Sequence, residues 1–504
     1  MKLDLVKRPA AVITELLDAA AEHPVECDIL LPDYCPDIVR VLTCRAETDV
    51  TGRSVNGATL TVDGMTIVTL CYLGEVGGVR KTTVRQPFSK SFELSSAPAA
   101  PVVFASAQKS ALSCRAVSRR RVDVRGTLQI SATVYDAGTT EVISETGNGT
   151  LCLLTEEIEN ECITDNVVSR ISLREEVTPT AGVERIAEIV RCECQPIVSE
   201  WRAVSGGVLF KGELLVSILA ACEEEKLVSM KYSLPVSKLA ESRNPESVRA
   251  VTLRCAFAEC QLTDDESGRL SVEMQLEASL LHEAKTTLTA AKDAFSTVCD
   301  HEQTQVEISQ LAMRSQLKEK LRVEAKTALP DGADTVCDVC ASVSQLSSKT
   351  EDGEVKITGR VTFAALLSGG EGGVQAVSAS TLFEKSVMAA GEGEFICKAD
   401  AAVLSSDAAL NEDGVSFDAE ILAGSIIMEK RSQKVLGTIT LNESSPIVRD
   451  ESIGLMIRYA DDGERVWDIA SHYAVSPDDI MRDNELSSDV ITEPSVLIIP
   501  APRA

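Results

Sequence analysis

Long apolar runs are missing from this 504-residue sequence. No stretch approaches the ~20 consecutive apolar residues that cross a bilayer as a helix, so no membrane span is expected. The opening residues, MKLDLVKRPAAVITELLDAAAEH, carry charges throughout and lack the unbroken apolar core of an export signal, which points to the cytoplasm. Histidine is scarce. The four, His23, His282, His301 and His472, lie near neither of the close cysteine pairs, Cys192 with Cys194 and Cys337 with Cys340. A structural zinc site wants two such knuckles together, or a knuckle plus histidines, so neither a metal nor another cofactor is expected. Basic residues are the minority, 49 against 77 acidic, for a net charge of −28. A surface of that sign repels phosphate backbones and anionic lipid heads, which makes nucleic acid and membranes poor partners. Catalytic signatures are missing too: there is no nucleophile elbow, zinc-protease helix or phosphate loop. GEVGGVRKTT (74–83) has the wrong spacing for a phosphate loop, and GGEGGVQAVS (369–378), its counterpart, lacks the lysine. Both read as hairpin turns, and no enzyme is expected.

What is present is a repeat. Three stretches, TVDGMTIVTLCY (61–72), FKGELLVSILAA (210–221) and KITGRVTFAALL (356–367), share one alternating row with glycine at the same place, Gly64, Gly212 and Gly359. The spacing is 212 − 64 = 148 and 359 − 212 = 147. A period of two rich in β-branched residues means a strand with one buried face. Glycine inside it marks a bulge or a close backbone approach. Phe88 falls on Phe383 at the summed offset of 295, and each copy adds a late alternating strand at 121–130, 269–278 and 414–423. The 16 cysteines are scattered, mostly in such runs, as Cys255 is in TLRCAF. In a cytoplasm they are expected to be reduced and to act as small buried hydrophobes.

The run ECDILLPDYCPDIVRVL (26–42) concentrates Asp28, Asp33 and Asp37, as a catalytic or metal site would. Its copies argue otherwise. Asp28 becomes Arg174 and Asp37 becomes Arg185, while strand, proline and apolar turn persist at Pro32, Pro179 and Pro330. The run therefore reads as fold punctuation, with Asp33 and Asp331 capping the turn that follows. One basic cluster, SRRRVDVRG (118–126), holds Arg119, Arg120, Arg121 and Arg125. It is either a solvated strand edge, which discourages pairing between sheets, or a docking patch for an acidic partner.

After the polar stretch NESSPIVRDE (442–451), the last residues change period. A short strand at 455–459 leads into a helix carrying Val466, Trp467, Ile469, Ala470 and Tyr473 on one side. Ser476-Pro477-Asp478-Asp479 starts a second helix, and VLIIP (496–500) closes as a strand. Trp467 lies on the apolar face and is expected to anchor the core. Tyr459, Gly463, Trp467 to Ala470, Tyr473, Val475, Ser476, Ile480, Asn484, Leu486, Ile491 and the LIIP end make this stretch resemble a LysM domain. The resemblance implies a βααβ fold that binds N-acetylglucosamine glycans through the loops before its first helix and after its second. Both loops depart from the family: its Gly-Asp-Thr-Leu is Gly463-Glu464-Arg465-Val466 here, and its Pro-Gly-Gln is Glu493-Pro494-Ser495. Loop position singles out Asp461, Asp462, Gly463, Glu464, Arg465, Arg482, Asn484 and Pro494 as the partner- or glycan-binding residues.

The Leu-Pro-Asp and Pro-Asp-Ile of the opening run are similar to the start of a SPOCS domain. SPOCS repeats followed by one LysM domain resemble spore-coat morphogenetic proteins of spore-forming Firmicutes. That resemblance implies a non-catalytic scaffold in the mother-cell cytoplasm at the forespore surface. Its LysM domain would dock to the ATPase of the coat's basement layer, alongside other coat proteins, with peptidoglycan as the alternative ligand. The expected fold is mainly β: three tandem antiparallel β-sandwich-like repeats at 23–160, 165–305 and 315–441. An amphipathic helix using Val12, Leu16, Leu17 and Ala20 precedes them at 1–22, and a linker (442–454) and the LysM domain (455–501) follow. Three domains in a row predict an elongated chain without a single deep pocket.

Overall fold

The computed structural model describes residues 3–500 except 76, 181–182, 184, 223–225, 265–268, 370–372, 389–392 and 449–454. Parts of the expected N-terminal segment, the 369–378 turn and the linker, with residue 501, therefore lie outside the described residues. The chain is mainly antiparallel β, and the two α-helices among the described residues lie in the C-terminal module.

The first repeat runs β1 (Leu5–Leu30), β2 (Ile38–Asn56), β3 (Thr59–Gly74), β4 (Val79–Glu93), β5 (Pro101–Ser118) and β6 (Arg121–Thr146). They form two three-stranded sheets, ordered β2-β3-β4 and β1-β6-β5. The second repeat copies this with β7 (Leu151–Val177), β8 (Ile186–Val204), β9 (Gly207–Cys222), β10 (Leu227–Glu241), β11 (Val248–Asp264) and β12 (Arg269–Ser296). The third does so with β13 (Cys299–Thr327), β14 (Thr335–Glu351), β15 (Glu354–Ser368), β16 (Gln375–Met388), β17 (Glu394–Asn411) and β18 (Gly414–Pro446). Each repeat packs its two sheets over its own apolar core, built from the alternating rows: Val62, Val68, Leu70 and Tyr72 in the first, Phe210, Leu214, Val216 and Ile218 in the second, Ile357, Val361, Phe363 and Leu367 in the third. The first strand of each stops ahead of Pro32, Pro179 or Pro330.

The repeated glycine is a close approach rather than a bulge. Gly64 pairs directly with Phe88 and Gly359 with Phe383. A Cβ at either glycine would overlap the phenyl ring lying across it. In the second repeat Gly212 faces Val236, and there the Ile197 carbonyl takes the space.

Three expectations change. Residues 5–22 are not a helix but the first 18 of the 26 residues of β1, which pairs along its length with β6. Of the residues read as a helix face, Leu16 is buried, Val12 and Leu17 are half-buried and Ala20 is exposed, while Ala10 and Ile13 join Leu16 in a buried row of spacing three. It arises because this part of the strand packs against the other repeats as well as its own, and because the register slips between Glu15 and Leu17. The same parts of β7 and β13 were divided between neighbours, so the repeats span 5–146, 151–296 and 299–446 instead. Residues 442–446, expected as linker, end β18, with Asn442 paired to Asp300.

The third change is the arrangement. The repeats are not strung out; they meet around a common centre where equivalent positions touch. Val79, Leu227 and Val374, spaced 148 and 147 apart, share one buried cluster with Cys71, Leu219 and Leu366 at the same spacing. At the other end Ala10, Ile158 and Ile308 pack together, as do Ile143, Ala291 and Leu436. The molecule is thus a pseudo-threefold body with clefts between its repeats, one of about 830 Å³ and one of about 550 Å³, each lined by all three copies.

Polar residues also meet at this centre, and they differ between copies. Thr43, Arg191 and Asp338 are one set of equivalents, and Arg45, Glu193 and Cys340 another. Arg191 donates to Asp338 Oδ1 at 2.9 Å, where Ser229 Oγ also donates at 2.8 Å. Arg45 pairs with Glu193 and donates to Cys340 Sγ at 2.9 Å. The Arg191 guanidinium is held charged by Glu193 and Asp338 against the burial that opposes it.

Two outcomes follow from this packing. Deleting residues 1–22 removes 18 of the 26 residues of β1 and is expected to abolish folding of the first repeat, read as lost β ellipticity and insolubility; an appended helix would be dispensable. Replacing Asp338 by Ala removes one of the two carboxylates that hold the buried Arg191 and is expected to cost about 2–3 kcal/mol in urea unfolding, against under about 1 kcal/mol for the exposed Arg8–Glu145 pair.

Candidate functional site

The C-terminal module is built from β19 (Met456–Ala460), α1 (Val466–Tyr473), α2 (Pro477–Asp483) and β20 (Ser495–Ile499), with the two strands antiparallel. Gly463 turns the chain into α1 at φ +85°, and Ala474 ends that helix in the left-handed conformation at φ +52°. Ser476 and Pro477 flank the start of α2 as their sequence signals, although the serine side chain makes no capping bond.

Six of the expected site residues come together. The loop before α1 is stitched to the loop after α2 by Gly463 N–H to Ile491 O (2.8 Å), Ile491 N–H to Glu464 O (2.9 Å) and Val466 N–H to Asp489 O (2.8 Å). Asp461, Asp462, Gly463 and Arg465 are exposed along this seam, while Glu464 is half-buried and pairs with Arg458 at 3.0 Å. Pro494 is exposed next to Ser495, whose partner is Ala460, and so adjoins Asp461. Arg482 is turned to its own helix, where Asp479 (2.6 Å) and Asp483 (3.0 Å) hold its charge. Asn484 is a staple rather than a ligand contact. Its amide donates to Ile480 O (2.9 Å) and Ile498 O (2.7 Å) and accepts from Ile498 N–H (2.7 Å), tying α2 to β20.

No aromatic ring belongs to these two loops. Trp467 is buried as expected, but its core is shared: the indole packs edge-on against Phe295 of β12 with centroids 4.9 Å apart and donates to Asp293 Oδ2 at 3.1 Å. Cys152 and Leu154 of β7 complete the contact. Burial there, with Asp478 and Asp479 nearby, lifts the Cys152 thiol to about 11. The module is therefore seated on the tip of the second repeat.

One feature escaped the sequence reading. The outer face of the β19–β20 pair is apolar and open: Ile457 opposes Ile498, Tyr459 opposes Val496, and Leu455 extends the row. Tyr459 is 81% exposed. The signal was available, since these strands are apolar on both faces and the module's own helices cover only one.

The opening run and the basic cluster turn out to be partners. Arg120 donates to the carbonyls of Pro32 (2.7 Å) and Cys35 (3.3 Å) and pairs with Asp37 at 2.8 Å and Asp33 at 3.7 Å. Arg121 chelates Asp28 and holds that carboxyl below the usual range. Arg119 reaches Glu75 at 3.4 Å, and Arg125 reaches Asp123 at 3.0 Å. The aspartates clasp a turn through Arg120 and Arg121, while Arg119, Arg121 and Arg125, each with a carboxylate partner in the chain, stay exposed.

With this geometry in view, comparison with known families finds that residues 462–500 match the LysM domain model, which covers the C-terminal module alone. No curated protein and no solved structure matches the chain. Among the described residues no helix is long and apolar enough to cross a membrane.

The staple role of Asn484 has a direct readout. In a Trp201→Phe background, where Trp467 is the sole indole, Asn484→Ala is expected to lower the module's stability by about 2–3 kcal/mol without any ligand, followed by fluorescence in urea. A residue that only contacts ligand would leave that curve unchanged.

Proposed function

We propose that the protein is a non-catalytic envelope-assembly scaffold in which a pseudo-threefold β core presents one LysM-like docking module. The observation that carries this reading is the seating of the module: Trp467 is locked on Phe295 and Asp293, so the core fixes the direction in which the module's remaining surfaces face. The open, uncharged sheet face of Leu455, Ile457, Tyr459, Val496 and Ile498 suits a protein surface better than a sugar chain. The resemblance of the opening run and the domain order to SPOCS–LysM spore-coat proteins supplies the finer reading. On it, the partner is the basement-layer coat ATPase, and the place is the mother-cell side of the forespore surface.

The second reading is peptidoglycan binding, and the LysM match over 462–500 favours it. Against it stand the loops themselves, which place Asp461, Asp462, Glu464 and Asp489 along the seam and offer no ring for a pyranose to stack on. The two readings separate by experiment. The full chain is expected to stay in the supernatant when purified peptidoglycan is sedimented, while Ile457→Asp abolishes recruitment to the forespore in sporulating cells. Strong co-sedimentation that Asp462→Ala or Arg465→Ala weakens, with Ile457→Asp recruited normally, would select the glycan reading.

A further inference from the structure

The larger cleft, of about 830 Å³, falls in the ~300–1,000 Å³ range of small-molecule sites, and one end of it holds donors that the chain leaves unused. That end is the hairpin of β3 and β4, where Tyr72 pairs with Arg80 and Cys71 with Lys81, all four lining the cleft. Glu188 of β8 accepts from Arg80 Nη1 at 3.2 Å and from the Lys81 backbone N–H at 3.3 Å. The Lys81 ammonium is left without an ion pair or hydrogen bond among the described residues. Arg80 Nε–H has no hydrogen-bond partner either, and nor has the hydroxyl of Tyr72, which is fully buried. Burial pushes that hydroxyl up to about 12, so it is a donor at neutral pH.

The other cations of the cleft are answered: Arg45 by Glu193, Arg191 by Asp338, and Arg85 by Glu259 at 4.0 Å. The thiols around Lys81 do not answer it. Cys71 is its register partner, and Cys192 and Cys260 line the same cleft from β8 and β11. Burial pushes Cys260 up to about 11 and raises the other two, so all three stay uncharged at neutral pH. Glu47, a lining carboxylate with no ion pair among the described residues, lies on the far strand of the sheet, where it faces Ile67, four residues along β3 from Cys71.

Folding does not call for these donors. The counterparts of Tyr72 are Ala220 and Leu367, those of Arg80 are Val228 and Gln375, and those of Lys81 are Ser229 and Ala376. Two copies build the same hairpin without the set, so the first copy carries it for another purpose. A buried donor without an acceptor is costly, and a charged acceptor returns the most for filling the gap.

We propose that this cleft is a binding site for a small organic anion, whose carboxylate or phosphate group pairs with Lys81 and whose oxygens accept from Arg80 Nε–H and the Tyr72 hydroxyl. The threefold body then has one such site, because only the first copy supplies the donors, while the second and third copies supply the opposite walls.

The test titrates the full-length chain with sodium phosphate and, separately, with sodium citrate, by calorimetry and by thermal unfolding, at constant ionic strength set with chloride. Saturable binding of one anion per chain, with a saturable rise in unfolding temperature, is expected for at least one of the two. Phosphate alone marks a phosphorylated ligand, citrate alone a carboxylic acid, and both together the shared acid chemistry. Lys81→Met is expected to weaken binding about tenfold or more. Arg8→Met removes the same charge from an exposed pair and is expected to leave binding unchanged. Tyr72→Phe is expected to weaken binding a few-fold without lowering the stability of the ligand-free chain, since its hydroxyl has no partner to lose. No saturable binding of either anion, or an affinity that neither Lys81→Met nor Tyr72→Phe reduces, would overturn the proposal.

Discussion

Three copies of one unit share a single interior, and every position that reaches the centre meets its own counterparts there. Apolar side chains meet this condition readily. Val79, Leu227 and Val374 are close in kind, and their contact removes all three from water. Charged side chains cannot. Three arginines or three aspartates at one buried point would repel with no solvent to screen them. The sets found are heterotypic, Thr43 with Arg191 and Asp338, and Arg45 with Glu193 and Cys340. Opposite charges thus come from different copies. Divergence at the centre is a requirement of the packing, and it fixes which copy sits beside which.

Within each copy the demand is different. The inner rows can stay alike because each repeat closes its own sandwich, and the aligned glycine belongs to this private core. Where a phenylalanine lies across it, as at Gly64 and Gly359, the ring fills the space a side chain would have taken. The second repeat keeps the glycine without the ring, because a backbone carbonyl also crowds the position: Ile197 O at Gly212, as its equivalent Asp49 O does at Gly64.

This division explains what the sequence disclosed. Private cores leave a period-two signature, so the alternating rows, the spacing near 148 and the proline stops were all legible. Shared cores do not. The first part of β1 packs against other repeats as well as its own, and its buried residues Ala10, Ile13 and Leu16 break the alternation, so it reads as helix. The clasp of the opening run was hidden for another reason: Arg120 and Arg121 lie 83 to 93 residues from the aspartates they hold. In the module, the loop residues 461–465 were placed by family spacing. Asn484, which looks like a loop ligand in one dimension, reveals its work only through its bonds to Ile480 and Ile498.

The module breaks the symmetry of the core, and the reason lies at the tips of the long strands. It follows the third repeat in the chain but rests on the second. The contact needs a ring and an acceptor for the indole, which Phe295 and Asp293 supply. In the register set by Ile143, Ala291 and Leu436, the positions matching Phe295 are Gly147 and Thr440, and those matching Asp293 are Glu145 and Thr438. Neither other tip has a ring to pack on Trp467. A body with three near-equivalent ends thus offers one seat. The open sheet face of the module is consequently held in one orientation, and the pseudo-threefold core carries one C-terminal module rather than three.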